Sequence, residues 1–182
     1  MLYHIGMNNF EKVYQVASER YGLITVEDAA QLGIHRKQLL AWEAIGRLER
    51  CGRGVYRLDH YLPTPYDHYA EAIALVGRGA VIYGDAVLAM HNLGLVNPTQ
   101  IQVAVGKRVR RELPDWIRLV KKPRDIKEDV FEGIACQNVA DAIRTCKGTV
   151  MRERLVDAIE QAGREGIVSR SEYQELKKEF AV

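Results

Sequence analysis

From His35 to Arg57 the chain carries six cations, Arg36, Lys37, Arg47, Arg50, Arg53 and Arg57, against the two carboxylates Glu43 and Glu49. A local excess of this kind is what phosphate binding needs, because each neutralised phosphate releases counterions. A second basic run follows later. Lys107, Arg108, Arg110, Arg111, Arg118, Lys121, Lys122, Arg124 and Lys127 are opposed only by Glu112, Asp115 and Asp125, while the chain from Glu128 onward is net acidic. A net charge of +2 over 182 residues therefore conceals a strong local field. Its sites in the first run are Arg36, Lys37, Arg47, Arg50 and Arg53; in the second, Lys107, Arg108, Arg110 and Arg111 offer an accessory contact for a polyanion or an acidic protein surface, or a solvated loop.

Other chemistries find no foothold. The chain has no Walker-type glycine loop, G-x-S-x-G, H-E-x-x-H or D-x-D motif. Asp85 and His91 form no recognisable dyad. Cys51, Cys136 and Cys146 are odd in number and widely spaced, which suggests neither a disulfide framework nor a zinc ribbon. His60 and His68 lack a third ligand at metal spacing. No catalytic residue, metal or cofactor is expected. The lack of a membrane-length apolar run and of a leader-like N-terminus makes the cytoplasm the expected location.

The first basic run lies on elements that the sequence marks clearly. Phe10, Val13, Tyr14, Ala17 and Tyr21 recur at helical spacing, ending at Gly22. Leu23 and Ile24 are extended, Thr25 offers a cap with Asp28 three residues later, and a second helix runs through Ala29, Ala30 and Leu32 to Gly33. His35 opens the third helix. Leu39 and Trp42 face inward with Ile34. Lys37, Ala41 and Ala44 lie opposite, flanked by Arg36 and Leu40. Small residues between cations suit a helix that approaches a groove closely, although a solvated face reads alike. Gly46 stops the helix, and Leu48–Arg50 and Val55–Leu58 form strands around a glycine-rich tip bearing Arg50 and Arg53. Two helices joined by a turn and closed by a basic hairpin make a winged helix-turn-helix, whose wing lays arginines on phosphates or in a minor groove. A winged fold that mediates protein contacts is the alternative.

Pro63 and Pro65 mark a boundary. The expected domains are residues 1–62, the winged helix-turn-helix, and residues 63–182. In the second, helices are expected over Tyr66–Val76, after Gly84 with Asp85 as cap, over Val139–Thr145 and over Met151–Ala162. Strands are expected at Ala80–Tyr83, Ile101–Val105, Trp116–Val120 and Ile134–Cys136. The expected class is α+β, with a small, mostly antiparallel sheet and packed helices in the C-terminal domain. Gly22-Leu23-Ile24-Thr25-x-x-Asp28 is echoed by Gly166-Ile167-Val168-Ser169-x-x-Glu172, which reads as a repeated capping solution, since no recognition helix and wing follow it.

Three segments in order, GRLERCGRGVYRL, VIYGDAVLAMHNLGLVNP and IQVAVGKRVRR, resemble those of the AbiEi antitoxins of type IV toxin–antitoxin systems. The resemblance implies a winged domain that binds double-stranded DNA at inverted repeats in its own promoter and represses transcription. It further implies a C-terminal domain that assists repression and counters a nucleotidyltransferase-like toxin, with or without direct contact, in a phage-defence setting. By motif match, Arg36, Lys37 and Ala41 fall on the recognition helix and Arg50 and Arg53 on the wing. The chain departs from the pattern at Leu40, Ala41 and Ala44, where relatives are more basic. Against this stand a protein-interaction module docking through the segment after Val105, and a stand-alone repressor without antitoxin activity.

Overall fold

Caps fix where the first helices begin. In the computed structural model, which describes residues 8–182, α1 (Asn9–Ser18) starts at Asn8. The Asn8 side chain accepts from the Glu11 amide at 3.0 Å, and the Glu11 carboxylate accepts from the Asn8 amide at 2.8 Å. Two donors that a helix start leaves unpaired are thereby satisfied. Val13 and Ala17 are fully buried, whereas Tyr14, expected on the apolar face, lies at its margin and is 55% exposed.

The chain then passes through β1 (Leu23–Thr25) into α2 (Val26–Gln31), where Thr25 and Asp28 form the expected reciprocal cap. Arg20 locks it with a 2.7 Å ion pair to Asp28. A turn through Gly33, at φ +74°, leads to α3 (Arg36–Ala44). The hairpin β2 (Leu48–Gly52) and β3 (Val55–Leu58) comes next, and the three strands form an antiparallel sheet in the order β1-β3-β2. Val13, Ala17, Ile24, Ala29, Ile34, Leu39, Leu48, Tyr56 and Leu58 make the core, with Phe10 and Trp42 packed against its edge.

The proline-rich segment does not end the first unit. The chain divides into compact units after Gly77, so α4 (Asp67–Val76) packs with the N-terminal residues rather than with those beyond the expected boundary at residue 62. Three interactions explain this. Arg57 lies 3.1 Å from Glu71. Asp67, though buried, accepts from the Thr64 hydroxyl at 2.6 Å and from the Tyr61 hydroxyl at 3.2 Å. The Leu75 side chain rests where a Cβ at Gly52 would stand. Pro63 and Pro65 stiffen the segment without uncoupling α4 from the hairpin.

The second unit holds β4 (Val81–Ile82), α5 (Asp85–Met90), β5 (Ile101–Val105), β6 (Ile117–Lys121), β7 (Glu128–Phe131), β8 (Ile134–Gln137), α6 (Val139–Thr145), α7 (Arg152–Arg164) and α8 (Arg170–Phe180). Its sheet runs β6-β5-β4-β8-β7. The expectation of a mostly antiparallel sheet needs correction: β4–β5 and β7–β8 are antiparallel, but β5–β6 and β4–β8 are parallel. The connection from Gly106 to Trp116 is long enough to return the chain to the end where β5 began, which a tight hairpin cannot do. The architecture is mixed α+β throughout.

Asp85, expected to cap α5, instead occupies the first helical position. Gly84 holds the cap position at φ +60°, ψ −130°, a conformation reserved in practice for glycine, and Asp85 accepts from the Gln102 side chain at 2.8 Å. Buried Gln137 ties the sheet to two helices. Its Oε1 accepts from the Gly84 amide at 3.1 Å, and its Nε2 donates to the Thr145 hydroxyl at 2.9 Å. The echo at Ser169 is the same capping device as at Thr25, with Glu172 closing the box at the start of α8.

Arg144 joins α6 to α8, with charge contacts to Asp141 at 2.8 Å, Glu179 at 2.9 Å and Glu175 at 3.4 Å. The hydrogen bond from Arg144 holds the Glu179 carboxyl below its ordinary range. A depressed carboxyl stabilises the fold above its unfolded pKa, and that contribution is lost as pH falls through the folded value. The urea midpoint should therefore fall on acidification from about pH 6 to about pH 3, and Glu179→Gln should make the decline measurably shallower.

Candidate nucleic-acid interface

The six N-terminal cations separate into an exposed set and one that is spent internally. Arg36 and Lys37 stand on the first turn of α3, and their side chains are exposed. The helix starts at His35, whose Nδ1 accepts from the Lys37 amide at 3.2 Å, as its position suggested. Leu39 is fully buried and pins the helix to the core, with Gln38, Trp42 and Glu43 half-buried on either side. Leu40, Ala41 and Ala44 are exposed on the opposite side together with Lys37. The division reflects the helical period: inward residues recur near i and i+3, leaving i−2, i+1, i+2 and i+5 outward.

Arg47 lies just past the helix, and its amide donates to the Trp42 carbonyl at 2.9 Å. Its guanidinium lies 4.8 Å from the Phe10 ring centroid, and Phe10 meets Trp42 edge-on at 5.2 Å. Arg47 is therefore exposed and also stacked, holding α1 to the end of α3. The sequence offered no signal for this, because Phe10 and Arg47 are far apart in the chain.

On the hairpin, Arg50 and Arg53 are exposed. The register shifts between Arg50 and Gly52, a bulge that bends β2, and the Arg50 Nε donates to the Gly52 carbonyl at 3.3 Å. Arg53 sits at the tip before Gly54, at φ +77°, with no side-chain hydrogen bond or ion pair among the described residues. Arg57 differs. Its side chain is 21% exposed, faces Glu71 and lies 5.9 Å from the Tyr61 ring centroid. It braces α4. Glu71, its partner, lay beyond the expected domain boundary.

Cys51 borders the bulge, and burial, helped by Glu71, pushes its thiol up to about 11. Burial likewise raises Cys136 to about 11 and Cys146 to about 12. All three are neutral thiols at physiological pH. Among the described residues no group of three or more His, Cys, Asp and Glu is placed to hold a metal ion.

In the second unit Lys107, Arg108 and Arg110 are exposed on the β5–β6 connection, and Arg111 is half-buried. Arg118 and Lys121 are exposed on β6. Lys122 is withdrawn from this group, bonded to Glu128 at 2.7 Å and to the Gly79 carbonyl at 3.3 Å. The long basic run is therefore partly structural.

Three helices, a basic hairpin behind the third, and exposed cations on the helix and hairpin make up this module. Residues 11–58 match the family described as transcriptional regulator, AbiEi antitoxin. The AbiEi resemblance read in the sequence is thus shown for this module. The match ends at Leu58, ahead of VIYGDAVLAMHNLGLVNP and IQVAVGKRVRR. A search of curated proteins returned no match. No helix among the described residues is long and apolar enough to cross a membrane.

Arg47 and Arg53 make different stability predictions. Arg47→Ala should destabilise the free protein by about 0.5–1 kcal/mol through loss of the stack on Phe10. Arg53→Ala should stay within about 0.5 kcal/mol of the parent. Urea unfolding without nucleic acid checks both, and equal losses would contradict the assignment.

Proposed function

We propose that the N-terminal unit is a winged helix-turn-helix DNA reader, with α2 and α3 as the helix pair, α3 as the recognition helix and β2–β3 as the wing. Arg36, Lys37 and Ala41 meet the major groove; Arg47, Arg50 and Arg53 meet the backbone or the adjoining minor groove. The observation that carries this reading is the exposure of Arg36, Lys37, Arg50 and Arg53 on α3 and the hairpin, within the segment that matches a regulator family. The chain binds inverted repeats in its own promoter, represses its operon in the cytoplasm and, as the antitoxin of a type IV pair, counters a nucleotidyltransferase-like toxin. Lys107, Arg108, Arg110 and Arg111 supply an accessory contact to DNA or to the partner. No catalytic step is assigned.

Binding to the DNA upstream of its own operon should weaken steeply with salt. Arg53→Ala should weaken it across all sequences and lower the salt slope by about 1, whereas Lys37→Ala should cost about 1–3 kcal/mol and relax preference at one base position. Electrophoretic shifts over a salt series measure both effects, and parental behaviour of both variants would overturn the assigned surface.

The antitoxin half of the reading has its own measurement. Co-expression with the neighbouring open reading frame should rescue growth from that neighbour's toxicity. Failure of rescue with intact operator binding would leave a stand-alone repressor. A protein-interaction module is the second reading, favoured by the exposure of Lys107, Arg108 and Arg110 on one connection; it requires a stable complex with an acidic partner and no operator preference.

A further inference from the structure

The outer face of α3 is unusual for a surface that is to meet DNA. Past its first turn it presents Leu40, Ala41 and Ala44, with Leu40 40% exposed. No side chain there donates or accepts a hydrogen bond. The nearest amide, Gln38, is half-buried and turned toward Asn9, 3.4 Å away. Glu43 lies on the inward flank, half-buried. Among the exposed side chains of this helix, those able to hydrogen-bond a base are therefore Arg36 and Lys37.

The rest of the face can meet a base edge only through apolar contact. In the major groove the one apolar group on an unmodified base is the C5 methyl of thymine. We propose that α3 reads thymine methyl groups, with Leu40 as the principal contact and Ala41 and Ala44 small enough to let the helix approach the groove floor. The inference rests on the DNA-binding reading above and sharpens it. Arg36 and Lys37 specify hydrogen-bonding bases under the first turn, and Leu40 specifies thymine beyond them.

Charge selects DNA over an apolar protein surface as the occupant. Arg36 and Lys37 flank the strip on the same helix, and exposed Arg50 and Arg53 stand on the hairpin of the same unit. An apolar protein surface would strand those charges, whereas a duplex offers methyls between two rows of phosphates.

The test uses the duplex that the protein itself enriches from random-sequence DNA, with each thymine replaced singly by deoxyuridine. This removes one methyl and leaves the protein untouched. Burial of one methyl group corresponds to about a fourfold change in affinity. At least one thymine in each half-site should show that loss. Leu40→Ala, an exposed substitution whose fold is checked by circular dichroism, should bind more weakly and no longer distinguish thymine from deoxyuridine at that position. Indifference of the parent protein at every thymine, or full discrimination retained by Leu40→Ala, would overturn the proposal while leaving DNA binding intact. Recovery of no salt-sensitive duplex would instead remove the DNA-binding reading. A protein complex lost in Leu40→Ala, with no deoxyuridine effect, would mark the strip as a protein-docking face and overturn the proposal.

Discussion

One fully buried side chain, Leu39, holds α3 to the nine-residue core of the N-terminal unit. The orientation of every outward group on that helix depends on it. If Leu39 points inward, the period of the helix turns Lys37, Leu40, Ala41 and Ala44 outward together. The neighbouring supports are peripheral: Trp42 is half-buried at the core edge, and Arg47 reaches back over Phe10. A short helix with a single deep anchor is stable only because the strands behind it complete the core, through Leu48, Tyr56 and Leu58. The hairpin is therefore both a carrier of arginines and a wall of the site that positions α3.

The second unit solves a different problem. Its sheet mixes parallel and antiparallel neighbours, and the joint between sheet and helices is polar. Buried Gln137 satisfies the backbone at the start of α5 and the hydroxyl of Thr145 on α6. A buried amide must have its partners, since an unpaired one costs more than its bonds return. Both sheet edges carry charge, with Arg118 and Lys121 on β6 and Glu128 and Asp129 on β7. Charged edges discourage pairing with further strands.

The parts legible in the sequence were those whose physics is local. Thr25 with Asp28, Ser169 with Glu172, His35, and the inward phase of Leu39 all derive from cap chemistry and helical period within a few residues. The illegible parts depended on long-range partners. Arg57 looked like its basic neighbours until Glu71 on α4 claimed it. The strand β7 is charged and exposed along most of its length, so no alternation announced it, and only the two-residue turn at Glu132 and Gly133, both at positive φ, pairs it with β8. Strand direction in the sheet and the allegiance of α4 are likewise settled by contacts distant in sequence. In the candidate interface, the exposed cations were readable one by one. The stack of Arg47 on Phe10 was not.

Gly52 carries a consequence for how such a module diversifies. A side chain there would collide with Leu75, which seats the hairpin next to its tip against α4. Arg50 and Arg53 on either side meet no such obstacle. The hairpin thus has a fixed point beside exposed arginine positions. Sequence drift or a combinatorial library can rewrite Arg50 and Arg53 while the glycine preserves the frame, so that the charge carried by the hairpin can change without refolding the unit.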